Sequence, residues 1–227
     1  MSHSDDHHHH EHPTGHSHGM YDVDPTHEHP PQPDIEDSAL TRFQLTQMAV
    51  EELLVEKGIL TPDEMRAQLE RMDALSPAQG ARLVARAWVD EAFRTRLIDN
   101  SQTAAAELGL DIGPMPILVM ENTPEVHNVI VCTLCSCYPR YLLGFPPDWY
   151  KSRSYRSRVV REPRAVLTEF GTGLADGVRI RVHDSNADMR YMVLPMRPAG
   201  TDGMDEEALA ALVTRDCMIG VTLPRAA

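Results

Sequence analysis

Polar and apolar positions alternate in two different rhythms along this chain. Leu45, Met48, Val50, Leu53 and Leu54 recur at helical spacing in a segment that opens near Ser38, and Lys57-Gly58 reads as its end. Thr61, Pro62 and Glu64 form a capping-box start for a second helix. Ser76-Pro77 repeats the cap-then-proline signal ahead of Leu83, Val84 and Trp88. Asp90 is placed to cap a helix carrying Phe93, Leu97 and Ile98, and Ser101 to cap another that stops near Gly109. After Gly113 the rhythm shortens. Ile117–Met120 and Val129–Val131 are β-rich runs, and residues 178–182 alternate with a period of two, so that with Tyr191–Leu194 they are expected to form a hairpin. Further helices are expected from Pro163 to Phe170-Gly171 and from Asp205 through Leu212. Strands mixed with helices, without a regular βαβ repeat, predict an α+β chain. Its parts are a tail over residues 1–37, a helical N-terminal arm over 38–112, and a mixed α/β layered domain over 113–227. No internal repeat is visible.

Composition narrows the possibilities. At 227 residues and 42% hydrophobic content, the chain is long enough for a full core without disulfides. A net charge of −13 would repel phosphate backbones and anionic lipids, so neither nucleic acid nor a membrane surface is expected as a partner. No apolar run approaches the roughly 20 residues of a bilayer span, and no signal peptide is apparent. A cytoplasmic protein is the expectation. Residues 1–37 hold nine acids and no Lys or Arg, so they carry −9 of the total and leave −4 for the other 190 residues. Ten of the twelve histidines also lie there. Such a segment cannot offset its ordering entropy and reads as disordered: a solvated tail, a tag remnant, or a collector of divalent metal.

Three of the four cysteines fall within six residues: Cys132, Cys135 and Cys137. Disulfides between thiols this close are strained and do not suit a reducing compartment. A redox Cys-x-x-Cys pair opens a helix that is not evident here. Tetrahedral zinc wants a fourth ligand that no second pair supplies, and the nearest imidazole, His127, reads as a structural hydrogen-bonder. The spacing does suit a claw around one octahedral ion. Cys137 offers sulfur and its own nitrogen, Ser136 a second peptide nitrogen, Cys135 a second sulfur and Cys132 an axial one, with a sixth position left for water. Spacing alone leaves this claw and a generic thiolate site both open.

The run VCTLCSCYP, with MENTPEVHN before it and LLGFPPDWYKSRSYRSRVVREPRAVL after it, closely resembles nitrile hydratase α subunits and the related γ subunits of thiocyanate hydrolase. The likeness extends over about residues 45–224, through RPAGTDG and TRDCMIGV. The resemblance implies an α+β chain holding one non-corrin cobalt(III) ion, or iron(III), and a β-type partner subunit that completes the active site. It assigns Cys132, Cys135 and Cys137 as thiolate ligands and the amides of Ser136 and Cys137 as nitrogen ligands. It also implies that Cys135 is oxidised to a sulfinic and Cys137 to a sulfenic acid, with Cys137, Cys135 and Ser136 at the reacting centre. Thr133 matches the cobalt type of the motif. Arginines of the partner are expected to bind the oxygenated sulfurs, which would leave this chain inactive alone.

Two positions depart from the nitrile hydratase pattern. Arg140 stands where those proteins usually have Trp, a feature shared with thiocyanate hydrolases, as are the DSN of 184–186 and the His-rich N-terminus. An arginine there favours an anionic substrate, although a subunit-interface ion pair would explain it equally well. Met115 stands in place of a pocket Gln found in some relatives. Cys217 reads as a buried thiol, and Trp149-Tyr150 and Phe145 as packing or interface residues. The run from Arg153 to Arg164 reads as mostly solvated or subunit-facing, with one or two of its arginines free to pair with carboxylates, and Asp184, Asp188 and Arg190 read as turn and surface groups. The expected activity is hydration of a small nitrile to an amide, with thiocyanate hydrolysis to carbonyl sulfide and ammonia, or non-catalytic metal carriage, as the alternatives.

Overall fold

In the computed structural model, which describes residues 39–226, capping chemistry sets most helix starts. The tail assigned to residues 1–37 lies outside the described residues. Helices α1 (Arg42–Glu56) and α2 (Pro62–Asp73) open on full capping boxes, Thr41 with Gln44 and Thr61 with Glu64. Gly58, at φ +66°, ends the first of them in the left-handed region. Next come α3 (Ala78–Val89), α4 (Glu91–Asp99), capped by Asp90, and α5 (Ser101–Glu107). The cap of α5 is Asn100, not Ser101: its carboxamide oxygen accepts the Thr103 N–H at 3.0 Å. Ser101 is buried instead, and its hydroxyl donates to the Ile117 carbonyl at 2.6 Å. Helix α1 belongs to a unit ending at Lys57 and buries none of its residues, whereas the later elements belong to a second unit that begins at Gly58.

That second unit continues with β1 (Ile117–Glu121), β2 (Val126–Val131), α6 (Arg140–Leu143), α7 (Asp148–Lys151), α8 (Arg153–Arg158), α9 (Pro163–Glu169), β3 (Arg179–Asp184), β4 (Arg190–Leu194), α10 (Glu206–Ala211) and α11 (Arg215–Ile219). Helices and strands are mixed, as an α+β chain requires. The hairpin expected from residues 178–182 and 191–194 is not formed. Strand β3 runs parallel to β2, from Val126↔Arg179 to Val131↔Asp184, and β4 runs parallel to β1, from Ile117↔Arg190 to Glu121↔Leu194. Alternation reports a half-buried face but not which strand lies alongside. Parallel pairing needs a long crossover, and α6 to α9 provide it between β2 and β3.

Leu83, Val84, Phe93 and Leu97 from the helices share one core with Val129, Ile130, Val131, Met192 and Met218. Gly220 closes α11 against β2. Its φ is +90°, and a Cβ there would meet the Asn128 carbonyl oxygen at 2.1 Å. Among the described residues, no helix is long and apolar enough to cross a membrane.

Candidate metal centre

The cysteine loop leaves the C-terminal end of β2, and the last register pair, Val131↔Asp184, brings the end of β3 beside its first residues. The Ser185 N–H donates to the Val131 carbonyl at 2.7 Å. Asp184 then turns back across the loop: its carboxylate accepts the Thr133 N–H at 2.9 Å and the Thr133 hydroxyl at 2.5 Å. Asp184 is exposed, as expected of a surface group, but parallel register also carries it to the loop, a role the expected hairpin did not offer. Further along, Arg156 of α8 donates to the Cys135 carbonyl at 2.7 Å, and the Tyr150 hydroxyl of α7 donates to the Cys137 carbonyl at 3.0 Å. Tyr155 fixes α8 to β2 through a 2.8 Å bond to the Ile130 carbonyl. The loop is thus held at its start, middle and end by three different elements.

That frame brings the sulfurs together. Cys132 Sγ lies 3.5 Å from Cys135 Sγ, which lies 3.3 Å from Cys137 Sγ, and the three are all within 4.8 Å of one another. Cys132 is buried, Cys137 half-buried and Cys135 exposed, all as free thiols. The Cys135 N–H donates to Cys132 Sγ at 3.3 Å, and the N–H groups of Ser136 and Cys137 face Cys135 Sγ. Hydrogen bonds from the Cys137 and Cys132 thiols, with those N–H groups, pull the Cys135 thiol down to about 7. Burial and the contact with Cys135 push Cys137 up to about 12, against the attraction of Arg190. Three soft donors this close, with two main-chain nitrogens beside them, fit a transition-metal ion. Among the described residues no His or carboxylate joins the cluster, so zinc's usual four-ligand set is not present.

The cluster lies against a cleft of about 540 Å³. Ser136, Met115 and Arg140 line it together with Cys135 and Cys137, so these sequence-derived residues do come together. Ile112, Ile117 and Tyr141 add apolar walls. Arg140, Lys151 and Arg190 bring three positive charges, and no carboxylate is among the lining residues. The Arg140 guanidinium sits over the Phe145 ring, 5.6 Å from its centroid. Arg190 is a cleft residue rather than a surface group: its guanidinium donates to the carbonyls of Asn186 and Met189 while its charge reaches Cys137. The basic run is likewise less solvated than its composition suggests. Arg158 pairs with Glu162 and Glu169, and Arg164 donates to the Leu174 and Val178 carbonyls.

Cys217 is buried, and among the described residues its Sγ lies within hydrogen-bonding distance of the Thr214 and Thr222 hydroxyls and away from the cluster, as a packing thiol would. His127 is structural too. Its Nε2–H donates to the Gly220 carbonyl at 2.7 Å, which leaves Nδ1 to accept from Asn122 at 3.2 Å, and burial holds its pKa below the usual histidine value. Around it runs a polar network that the sequence reading missed. The Asn128 N–H donates to Asn122 Oδ1 at 2.7 Å, the Asn128 amide donates to the Glu121 carbonyl at 2.7 Å, and His183 Nε2 donates to Asn128 Oδ1 at 2.8 Å. The available signal was the pair His127-Asn128 inside an apolar strand, since buried polar groups must find partners.

Fold and cluster together define a class: an α+β chain presenting three thiols and two main-chain nitrogens beside a cleft. Residues 41–222 match the family described as nitrile hydratase, alpha chain, and the chain belongs to that family. It is 50% identical over 182 residues to the low-molecular weight cobalt-containing nitrile hydratase subunit alpha of Rhodococcus rhodochrous, covering 78% of this chain and 86% of that one. It is 42% identical over 207 residues to the thiocyanate hydrolase subunit gamma of Thiobacillus thioparus, covering 86% and 84%. Among solved structures, a recombinant thiocyanate hydrolase with partially modified cobalt centres is similar at TM-score 0.76 and 43% identity, covering 82% of this chain and 92% of the other. A double mutant of the Fe-type nitrile hydratase of Comamonas testosteroni Ni1 is similar at TM-score 0.73 and 41% identity, covering 82% and 93%.

Proposed function

We propose that this chain is the metal-bearing subunit of a heteromeric, cytoplasmic nitrile hydratase that adds water to nitriles to give amides. Cys132, Cys135 and Cys137 would hold one low-spin cobalt(III) ion through sulfur, and Ser136 and Cys137 through main-chain nitrogen. The carrying observation is the three-sulfur cluster with two N–H groups turned toward it beside a cleft. An ion held there supplies Lewis acidity to polarise the triple bond and activate water. Cobalt rather than iron is supported by Thr133 and by the cobalt-containing relative that is half identical to this chain.

The chain's own residues bind and orient. Ile112, Met115, Ile117 and Tyr141 offer an apolar wall to the organic part of a nitrile, while Cys135 and Cys137, as sulfinic and sulfenic acids, offer oxygens to bond water or substrate. Leu134, 83% exposed within the cysteine loop, supports coverage of this face by a β-type subunit.

One observation favours a second reading, hydrolysis of thiocyanate to carbonyl sulfide and ammonia. Arg140, Lys151 and Arg190 give the cleft a positive field suited to an anion. The test is to co-express the chain with the genes that neighbour its own and to assay acetonitrile, benzonitrile and thiocyanate side by side. Amide from the nitriles is the expected result. Turnover of thiocyanate alone would move the assignment to the second reading, and R140W should then cut that turnover by about tenfold or more.

A further inference from the structure

Among the described residues, Arg156 is the member of its basic run whose guanidinium bonds to the cysteine loop. Among the described residues Arg158 has two carboxylate partners, whereas Arg156 makes no ion pair. Its hydrogen bond goes from Nη1 to the Cys135 carbonyl at 2.7 Å. Its Nε is buried without a hydrogen-bond partner among the described residues, a cost that a group selected only for stability would avoid.

The peptide bond that Arg156 grips is the one whose nitrogen belongs to Ser136. Peptide units are planar and, among the described residues, trans, so the carbonyl oxygen and the N–H point in opposite directions. Fixing the Cys135 oxygen toward α8 therefore turns the Ser136 N–H away from α8, toward the Cys135 sulfur that it faces. Tyr150 and Asp184 hold other peptides of the loop, those after Cys137 and before Thr133. Among these three contacts, only that of Arg156 acts on a peptide whose nitrogen belongs to the proposed ligand set.

We infer that Arg156 is a positioning residue of the metal site: its guanidinium, by holding the Cys135 carbonyl, sets the direction of the Ser136 nitrogen, and retention of the ion depends on that contact. The inference rests on the metal-site reading above. Removing a group that orients a ligand typically weakens metal holding by roughly 10- to 100-fold.

The test uses the heteromer purified with its partner subunits, as wild type, R156A, R156K and R153A. Cobalt per chain is followed by elemental analysis during an EDTA challenge, alongside the sulfur-to-cobalt charge-transfer absorption. R156A should lose cobalt about tenfold or more faster, with a shifted absorption band. R156K should recover part of both, and R153A, which removes a charge from the same helix, should match wild type. R156A with wild-type retention and spectrum overturns the inference, as does equal loss in R153A and R156A. A wild type that holds no EDTA-resistant cobalt overturns the underlying reading instead. Should R156A fail to assemble, R156Q, which keeps most of the side-chain volume, carries the same comparison.

Discussion

Removing the Asp184 carboxylate tests whether the cysteine loop is held by the end of β3. The Asp184 oxygens accept from Thr133 N at 2.9 Å and from Thr133 Oγ1 at 2.5 Å, so D184A deletes two charge-assisted hydrogen bonds. Such bonds contribute about 1.5–3 kcal/mol each when buried. Asp184 is exposed, and water replaces part of each, which brings them to about 1 kcal/mol apiece. D184A should therefore cost about 2 kcal/mol, and D184N, which keeps one acceptor oxygen, about 1 kcal/mol. T133V removes only the hydroxyl bond and should also cost about 1 kcal/mol, so in that background D184A should lose only the remaining bond. The double-mutant cycle then returns a coupling of about 1 kcal/mol. Equilibrium urea unfolding of the metal-free full-length chain measures all four forms without a contribution from the ion. A D184A cost below about 0.5 kcal/mol, or strictly additive costs, would refute the clamp.

Three further outcomes are expected. G220A places a methyl 2.1 Å from the Asn128 carbonyl oxygen at a φ of +90°, so it should cost about 4 kcal/mol or more in thermal unfolding; a loss under about 1 kcal/mol contradicts the packing of α11 on β2. Burial holds His127 and His183 below the ordinary histidine pKa of 6.5. Their contribution is complete above that value and falls as the pH drops toward their folded values, because the unfolded chain takes up protons first. The stability gap between wild type and H183N should accordingly shrink from pH 7.5 to pH 5.5, and a constant gap would count against it. In the reduced, metal-free chain, iodoacetamide at pH 7.5 should modify Cys135 first, since it is exposed and its thiol is lowered to about 7. Peptide mass spectrometry showing Cys137 or Cys217 modified first would contradict the described exposure.

Local chemistry was legible at several helix starts, although Ser76 is not the N-cap of α3 and Asn100, not Ser101, caps α5. Thr61-Pro62 with Glu64, Asp90 and Asp205 each announce a helix start, and the side chain of each threonine or aspartate accepts the expected backbone N–H. The three cysteines were legible as a cluster because their spacing is itself the geometry. Strand partnership was not legible. Residues 178–182 and 191–194 read as strands, but alternation cannot distinguish a hairpin from two parallel pairings with β2 and β1. The same gap hid Asp184 and Arg190, which act on the site only because parallel register carries them there across 51 residues in one case. Helices of four to six residues such as α6, α7, α8 and α11 are too short for periodicity to reveal, and with α7 and α8 went the roles of Tyr150 and Arg156.

The proposed function stands or falls on whether the cysteine loop holds the retained ion. Cobalt K-edge X-ray absorption on the EDTA-washed heteromer tests it most directly. One retained cobalt per chain, with sulfur and nitrogen neighbours in the ratio of three cysteine sulfurs to two main-chain nitrogens, is the predicted result. A retained ion surrounded by nitrogen and oxygen alone would place the metal on imidazoles and carboxylates and contradict the account.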